Sequence, residues 1–305
     1  MIDLIEQAVK AISSVVYGKD KAVRLSVACL LARGHLLIED LPGMGKTTLA
    51  HALAQVFSLD YNRVQFTSDL LPADILGGSI FDQHKSAFSF HAGPIFTQLF
   101  LADEINRTSP KTQSALLEAM EERQVSLDGI TRPLPTPFFV IATQNPVTQF
   151  GTYPLPESQS DRFLMSISLG YPDAEAEKRL LLAGGTRPNI DNLPKIVNAD
   201  QLLAIQDSCT AVKVSEAVVD YVQRLAAYSR ESGAYMVGLS PRGALSLLQA
   251  AKAWALMQGR DYLRPDDVQA VFTEVVQHRL VSKSSAQEAP LSAGAMLSRV
   301  DVLGT

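Results

Sequence analysis

Apolar residues recur at helical spacing from the start of the chain: Leu4, Ile5, Val9 and Ile12, then Val23, Leu25, Val27, Leu30 and Leu31. Gly18 and Asp20 interrupt the run, which predicts two helices around a tight turn. After Gly34, Leu36-Leu37-Ile38 has the short apolar character of a buried strand. Strand-like and helix-like pieces then alternate. A helix is expected from Thr47 to Phe57 and a strand from Arg63 to Phe66. An apolar run from Leu99 to Ala102, a helix from Pro110 to Glu122 and a strand from Phe138 to Ala142 follow. Strands alternating with helices predict a parallel sheet covered on both faces.

Beyond Gly170 the strand pattern stops. Segments starting near Pro172, Asp200, Ser215, Ser240 and Arg264 carry helical periodicity and open on Asp, Ser or Pro. Ser240-Pro241 and Arg264-Pro265-Asp266-Asp267 read as helix starts, since Pro suits the first helical position. The expected organisation is an α/β domain over residues 1–170 and a smaller helical domain over 171–305. The Ser- and Ala-rich residues 283–293 are expected to form a loop.

Composition narrows the classes. With 305 residues, 47% hydrophobic and 19% charged, the chain can fill the cores of two domains, and a disordered chain is excluded. Lys and Arg number 27 against 32 Asp and Glu, a net charge of −5, and no basic stretch offers itself to nucleic acid. Cys29 and Cys209 are too few for a metal site and sit among apolar helical neighbours, so core thiols in a reduced, cytoplasmic setting are expected. No signal peptide is legible, and no apolar stretch approaches the roughly 18–20 residues that span a bilayer. His84 and His91 have no companion ligands. Glu118, Glu121 and Glu122 read as a solvated helix face.

The candidate chemistry begins at the first strand. Leu36 to Thr48 is a strand, a Gly/Pro turn and a helix start containing Gly43-x-Gly45-Lys46-Thr47, with Asp40 where the general phosphate-loop pattern has its first glycine. Backbone N–H groups there can cradle phosphate, Lys46 can reach the β and γ phosphates, and the Thr47 hydroxyl can ligate Mg²⁺. By itself the segment also fits a helix start with no ligand. Leu99 to Glu104 is an apolar strand ending in two carboxylates: Asp103 can hold Mg²⁺ and Glu104 can polarise an attacking water. A helix N-cap is the alternative. Asn145, at the end of Phe138 to Asn145, can hold that water, or start a turn before Pro146. Arg162 and Arg242 each read either as phosphate ligands or as surface cations.

Taken in order along the chain, these segments resemble the AAA+ ATPases, specifically the MoxR family. The similarity rests on Glu39-Asp40-Leu41-Pro42-Gly43-Met44-Gly45-Lys46-Thr47, Gln65 to Ile75, Phe90 to Phe96, Ala102 to Arg107, Ile141 to Pro146, Asp161-Arg162-Phe163 and Ser240-Pro241-Arg242. The resemblance implies an AAA+ P-loop domain followed by a helical lid, and an ATP hydrolase using ATP and Mg²⁺. It implies that Gly43, Met44, Gly45, Lys46, Thr47 and Thr48 form the Walker A loop, with Asp103 and Glu104 as Walker B. Asn145 would be sensor 1, and Arg162 an arginine finger reaching the neighbouring subunit. Arg242 would be sensor 2 on the γ-phosphate of its own subunit, and Tyr17 and Gly18 would lie against adenine. An insertion is expected at residues 77–94 and a Pro-rich hairpin at 127–137. Before Asp161, Glu157-Ser158-Gln159-Ser160 departs from the family's more apolar pattern. The implied activity is ATP-driven, chaperone-like remodelling by a homo-oligomeric ring, a hexamer, acting on proteins with von Willebrand factor type A domains. A metal-chelatase ATPase subunit and a DNA-associated motor are the alternatives; the acidic balance disfavours the second.

Overall fold

The computed structural model describes residues 1–82, 86–145, 153, 155–182, 189–283 and 292–302. His84 and most of the expected 283–293 loop lie outside them. Five strands form the central sheet: β1 (Leu36–Glu39), β2 (Tyr61–Gln65), β3 (Leu99–Asp103), β4 (Phe139–Gln144) and β5 (Met165–Ile167). All pairings are parallel, in the order β2-β3-β4-β1-β5. The sheet is covered on both faces, and the strands alternate between two cores. Leu36, Ile38, Leu99, Leu101, Phe139 and Ile141 join one apolar cluster. Leu37, Phe100, Ala102, Val140 and Ala142 join the other.

The helices follow the predicted starts closely: α1 (Ile2–Ser13), α2 (Asp20–Leu31), α3 (Lys46–Val56), α4 (Pro110–Glu122), α5 (Ala174–Leu182), α6 (Ala199–Thr210), α7 (Glu216–Glu231), α8 (Pro241–Met257) and α9 (Pro265–Val276). Their caps explain this. The Ser240 hydroxyl accepts the Gly243 N–H at 2.9 Å ahead of α8, and the Asp267 carboxylate accepts the Arg264 N–H at 2.9 Å across the first turn of α9.

Two features depart from the sequence expectation. The strand pattern does not stop at Gly170, because Tyr235–Val237 pairs antiparallel with Val281–Ser282. Strands this short, like β5, carry too few residues to show alternation. The second departure concerns the hairpin, which pairs Gln124–Leu127 with Ile130–Pro133. Its turn is Asp128-Gly129, with φ of +54° and +74°, the backbone a two-residue hairpin turn demands. Pro133 ends its second strand, and Pro135 and Pro137 lie after it. The apolar cluster on one sheet face continues through α2 into α6, α8 and α9. Cys29 and Cys209 are buried in it, and burial pushes both thiols up, Cys209 to about 12. The insertion at 77–94 forms a hairpin of Gly77–Asp82 and Ala87–Ala92. Among the described residues no helix is long and apolar enough to cross a membrane.

Candidate nucleotide site

The C-terminal ends of β1, β3 and β4 open into a cavity of about 560 Å³ around the loop from Pro42 to Thr48. This is where ligands bind in open parallel sheets. Gly43 and Gly45 have φ of +86° and +94°, so a side chain at either would strain the turn. Gly45 is the N-cap of α3, where free N–H groups and the helix dipole favour phosphate. Thr47 and Thr48 line the cavity, and Met44 packs half-buried against the core.

Asp40, the residue in place of the first glycine, braces this loop. Its carboxylate accepts the N–H groups of Leu41 (2.8 Å), Leu169 (2.7 Å) and Gly170 (2.6 Å) and the Ser168 hydroxyl (3.1 Å). Its carbonyl accepts the Lys46 ammonium at 2.7 Å. Burial lowers the Lys46 pKa, opposed by the nearby charges of Asp103, Asp40 and Glu104.

Asn145 joins two other candidates of the cavity, Lys46 and Glu104. Lys46 Nζ donates to its Oδ1 at 3.2 Å, and its Nδ2 donates to Glu104 Oε1 at 3.0 Å. Glu104 adopts a left-handed backbone, φ +57°, and its N–H donates to the Thr143 hydroxyl at 2.8 Å. The Thr143 hydroxyl in turn donates to Asp103 Oδ1 at 2.6 Å. Glu104 Oε2 accepts Gln65 Nε2 and Arg107 Nε, both at 2.9 Å. Arg63 Nη2 and Nε donate to Asp103 Oδ2 at 2.7 and 3.1 Å. Sequence reasoning missed Arg63, Gln65, Arg107 and Thr143. The available signal was the alternation of Arg63 and Gln65 on β2, which puts both on one face, and the Thr immediately before Gln144-Asn145.

The arginines lie elsewhere. Arg162 Nε is 3.2 Å from Glu121 Oε2, and Arg242 Nη2 donates to Glu121 Oε1. Both line a second pocket, of about 210 Å³, and neither lines the phosphate-loop cavity. The arrangement therefore does not bring Arg242 to the phosphate loop of its own chain, and Glu121 is an ion-pair partner rather than a merely solvated side chain. Arg279, also missed, grips the backbone around Arg162. It donates to Asp161 Oδ1 (2.6 Å) and to the carbonyls of Asp161 (3.2 Å), Phe163 (2.6 Å) and Leu164 (3.2 Å). Gly18 lines a third cavity, with Lys19 and Ser168. It is tied to the phosphate loop indirectly, because Lys19 Nζ donates to the carbonyls of Gly170 (2.9 Å) and Tyr171 (2.5 Å) while Asp40 holds Gly170 from the other side. Tyr17 beside it is half-buried and, like Gly18, lies off the phosphate-loop cavity.

A phosphate loop opening a helix, an Asp-Glu pair at one strand end, an Asn at the next, and a helical unit packed behind them define a P-loop ATPase of the AAA+ type. Residues 35–165 match the ATPase family associated with various cellular activities (AAA), and residues 227–300 match the AAA lid domain. The chain is 39% identical to Chaperone MoxR1 of Mycobacterium tuberculosis, covering 98% of this chain and 81% of that one. It is 32% identical to Protein MoxR of Methylorubrum extorquens over 89% of this chain and 85% of the relative. A crystal structure from Cytophaga hutchinsonii, described as a candidate ATPase, superposes with a TM-score of 0.89 at 37% identity, covering 98% of this chain and 95% of that one. The chain belongs to the MoxR family of AAA+ ATPases.

Proposed function

We propose that this chain binds Mg·ATP at the phosphate loop, hydrolyses it as a subunit of a homo-oligomeric ring, and uses the cycle to remodel partner proteins. The observation that carries the reading is the bridge Lys46–Asn145–Glu104 inside the cavity. It holds a phosphate-binding ammonium and a water-activating carboxylate at a fixed separation. Positioning of this kind is the main contribution a protein makes to phosphoryl transfer. Hard oxygen donors suited to Mg²⁺, the Thr47 hydroxyl and the Asp103 carboxylate, line the same cavity. These residues would hold the ion, which when bound supplies positive charge beside the phosphates. Glu104 takes the proton of the water that attacks the γ-phosphorus as the bond to the β–γ bridging oxygen breaks, and Asn145 orients that water. Arg162 and Arg242, both resting on Glu121 away from their own cavity, serve the nucleotide of the neighbouring subunit.

Chaperone-like work is supported by the name of the mycobacterial relative. Partners with von Willebrand factor type A domains follow from the family resemblance. The test is Mg²⁺-dependent phosphate release. Lys46→Ala should lose nucleotide binding, whereas Glu104→Gln should bind ATP and barely turn it over, because Lys46 contacts the ground-state phosphates and Glu104 acts mainly on the attacking water. Wild-type turnover in Glu104→Gln would remove Glu104 from its assigned role. A Glu104→Gln pull-down in ATP should then retain the partner.

A further inference from the structure

Asp103 is not free. Its side chain is almost fully buried, and both oxygens are engaged, Oδ1 by the Thr143 hydroxyl and Oδ2 by the Arg63 guanidinium. Arg63 comes from β2, the edge strand, opposite Leu101 in register, and about half of its side chain is exposed. The two ends of this ion pair therefore differ. Asp103 is held by its strand and by Thr143, whereas Arg63 is a long side chain at a cavity wall with room to move. Arg63 Nη2 also reaches Gln65 Oε1 at 3.3 Å, and Gln65 in turn holds Glu104. Lys46, which also lines the cavity, is committed to the Asp40 carbonyl and Asn145. Arg63 is thus the cation that directly neutralises Asp103.

We propose that Arg63 is a counter-ion latch that competes with the divalent cation for Asp103 Oδ2. While the cavity holds no metal, the guanidinium neutralises a buried carboxylate that would otherwise be left as an uncompensated charge, an arrangement proteins avoid. When metal and nucleotide arrive, the ion and the guanidinium repel each other at that carboxylate, and Arg63 is displaced from it. The latch raises the metal concentration needed for tight nucleotide binding, and it keeps Asp103 positioned meanwhile. This inference rests on the assignment of the cavity to Mg·ATP.

The experiment measures binding, not turnover. A fluorescent, non-hydrolysable ATP analogue is titrated at a series of Mg²⁺ concentrations against wild type, Arg63→Gln and Arg63→Lys, with thermal unfolding run in parallel. Arg63→Gln should lower the half-saturating Mg²⁺ by up to about fivefold, the scale of a partly exposed ion pair. Arg63→Lys, which keeps the charge but not the two-pronged contact, should fall between. An unchanged or raised Mg²⁺ midpoint in folded Arg63→Gln overturns the latch, since a residue that only orients Asp103 for the metal would make binding harder when lost. If the wild type binds no nucleotide at any Mg²⁺ concentration, the ATPase reading itself fails, which is a separate result. Should Arg63→Gln not fold, Arg63→Lys alone decides by the same direction of shift.

Discussion

Histidines 35 and 278 are buried without a charge partner that would keep them protonated. His35 Nδ1 accepts the Val140 N–H at 3.0 Å, which requires that nitrogen to be unprotonated. Burial pushes its pKa down from 6.5 to about 4. Burial and then the neighbouring Arg279 charge push His278 to about 3. Both groups have folded values below their unfolded ones, so protons bind the unfolded chain preferentially. The stability they allow is intact above about pH 6.5 and falls as the pH drops toward 4. Urea unfolding at pH 7 and pH 5 should show that loss. In a His35→Gln variant the drop between the two should shrink, and an unchanged drop would mean that His35 is not held neutral. Neither histidine stands out in the sequence, because a buried neutral imidazole is a property of its surroundings.

The turn at Asp161-Arg162-Phe163, ahead of β5, is joined to the turn after α9 by a buried guanidinium, with His278 Nε2 also 3.1 Å from the Phe163 carbonyl. Arg279 is 5% exposed and satisfies four acceptors flanking Arg162. It thereby ties the position of the Arg162 backbone to the lid. Arg279→Ala should cost about 3–5 kcal/mol, the scale for breaking a buried pair and leaving its partner alone, read as a lowered midpoint in denaturant. Arg279→Lys keeps the charge and loses the fork, so it should fold and still bind ATP while its turnover falls. Wild-type turnover in folded Arg279→Lys would show that the grip does not position Arg162. This contact was not legible beforehand, as Arg279 and Asp161 are more than a hundred residues apart.

The cavity and the Glu121 arginine cluster occupy separate places on one chain, so a catalytic set containing both requires a second copy. Specific ATPase activity should therefore rise with protein concentration. Arg162→Ala should lose on the order of 10³-fold in turnover while retaining ATP binding. Mixing Arg162→Ala with Lys46→Ala subunits, each inactive alone, should restore part of the activity, because some intact cavities then face intact arginines. Light scattering checks assembly in the same samples. Assembled mixtures that stay inactive would sink the exchange of arginines between subunits.

Local chemistry determined most of the fold class here. The spacing of apolar residues, the glycines at positions 43 and 45, and the Ser and Pro at the starts of α8 and α9 act over a few residues, so they were readable in order. The Walker motifs were legible for the same reason: each is one strand end. What needed the tertiary structure were partnerships between distant segments. β5 and the Tyr235–Val237 strand exist because a neighbour pairs with them. Asp40 braces the loop only where β5 ends beside it, and Arg63 meets Asp103 only because β2 and β3 lie side by side in register. Only packing sets Arg242 on Glu121 beside Arg162. Hydrogen bonds and ion pairs reach only a few ångströms, so sequence separation says nothing about them until the chain has been brought together.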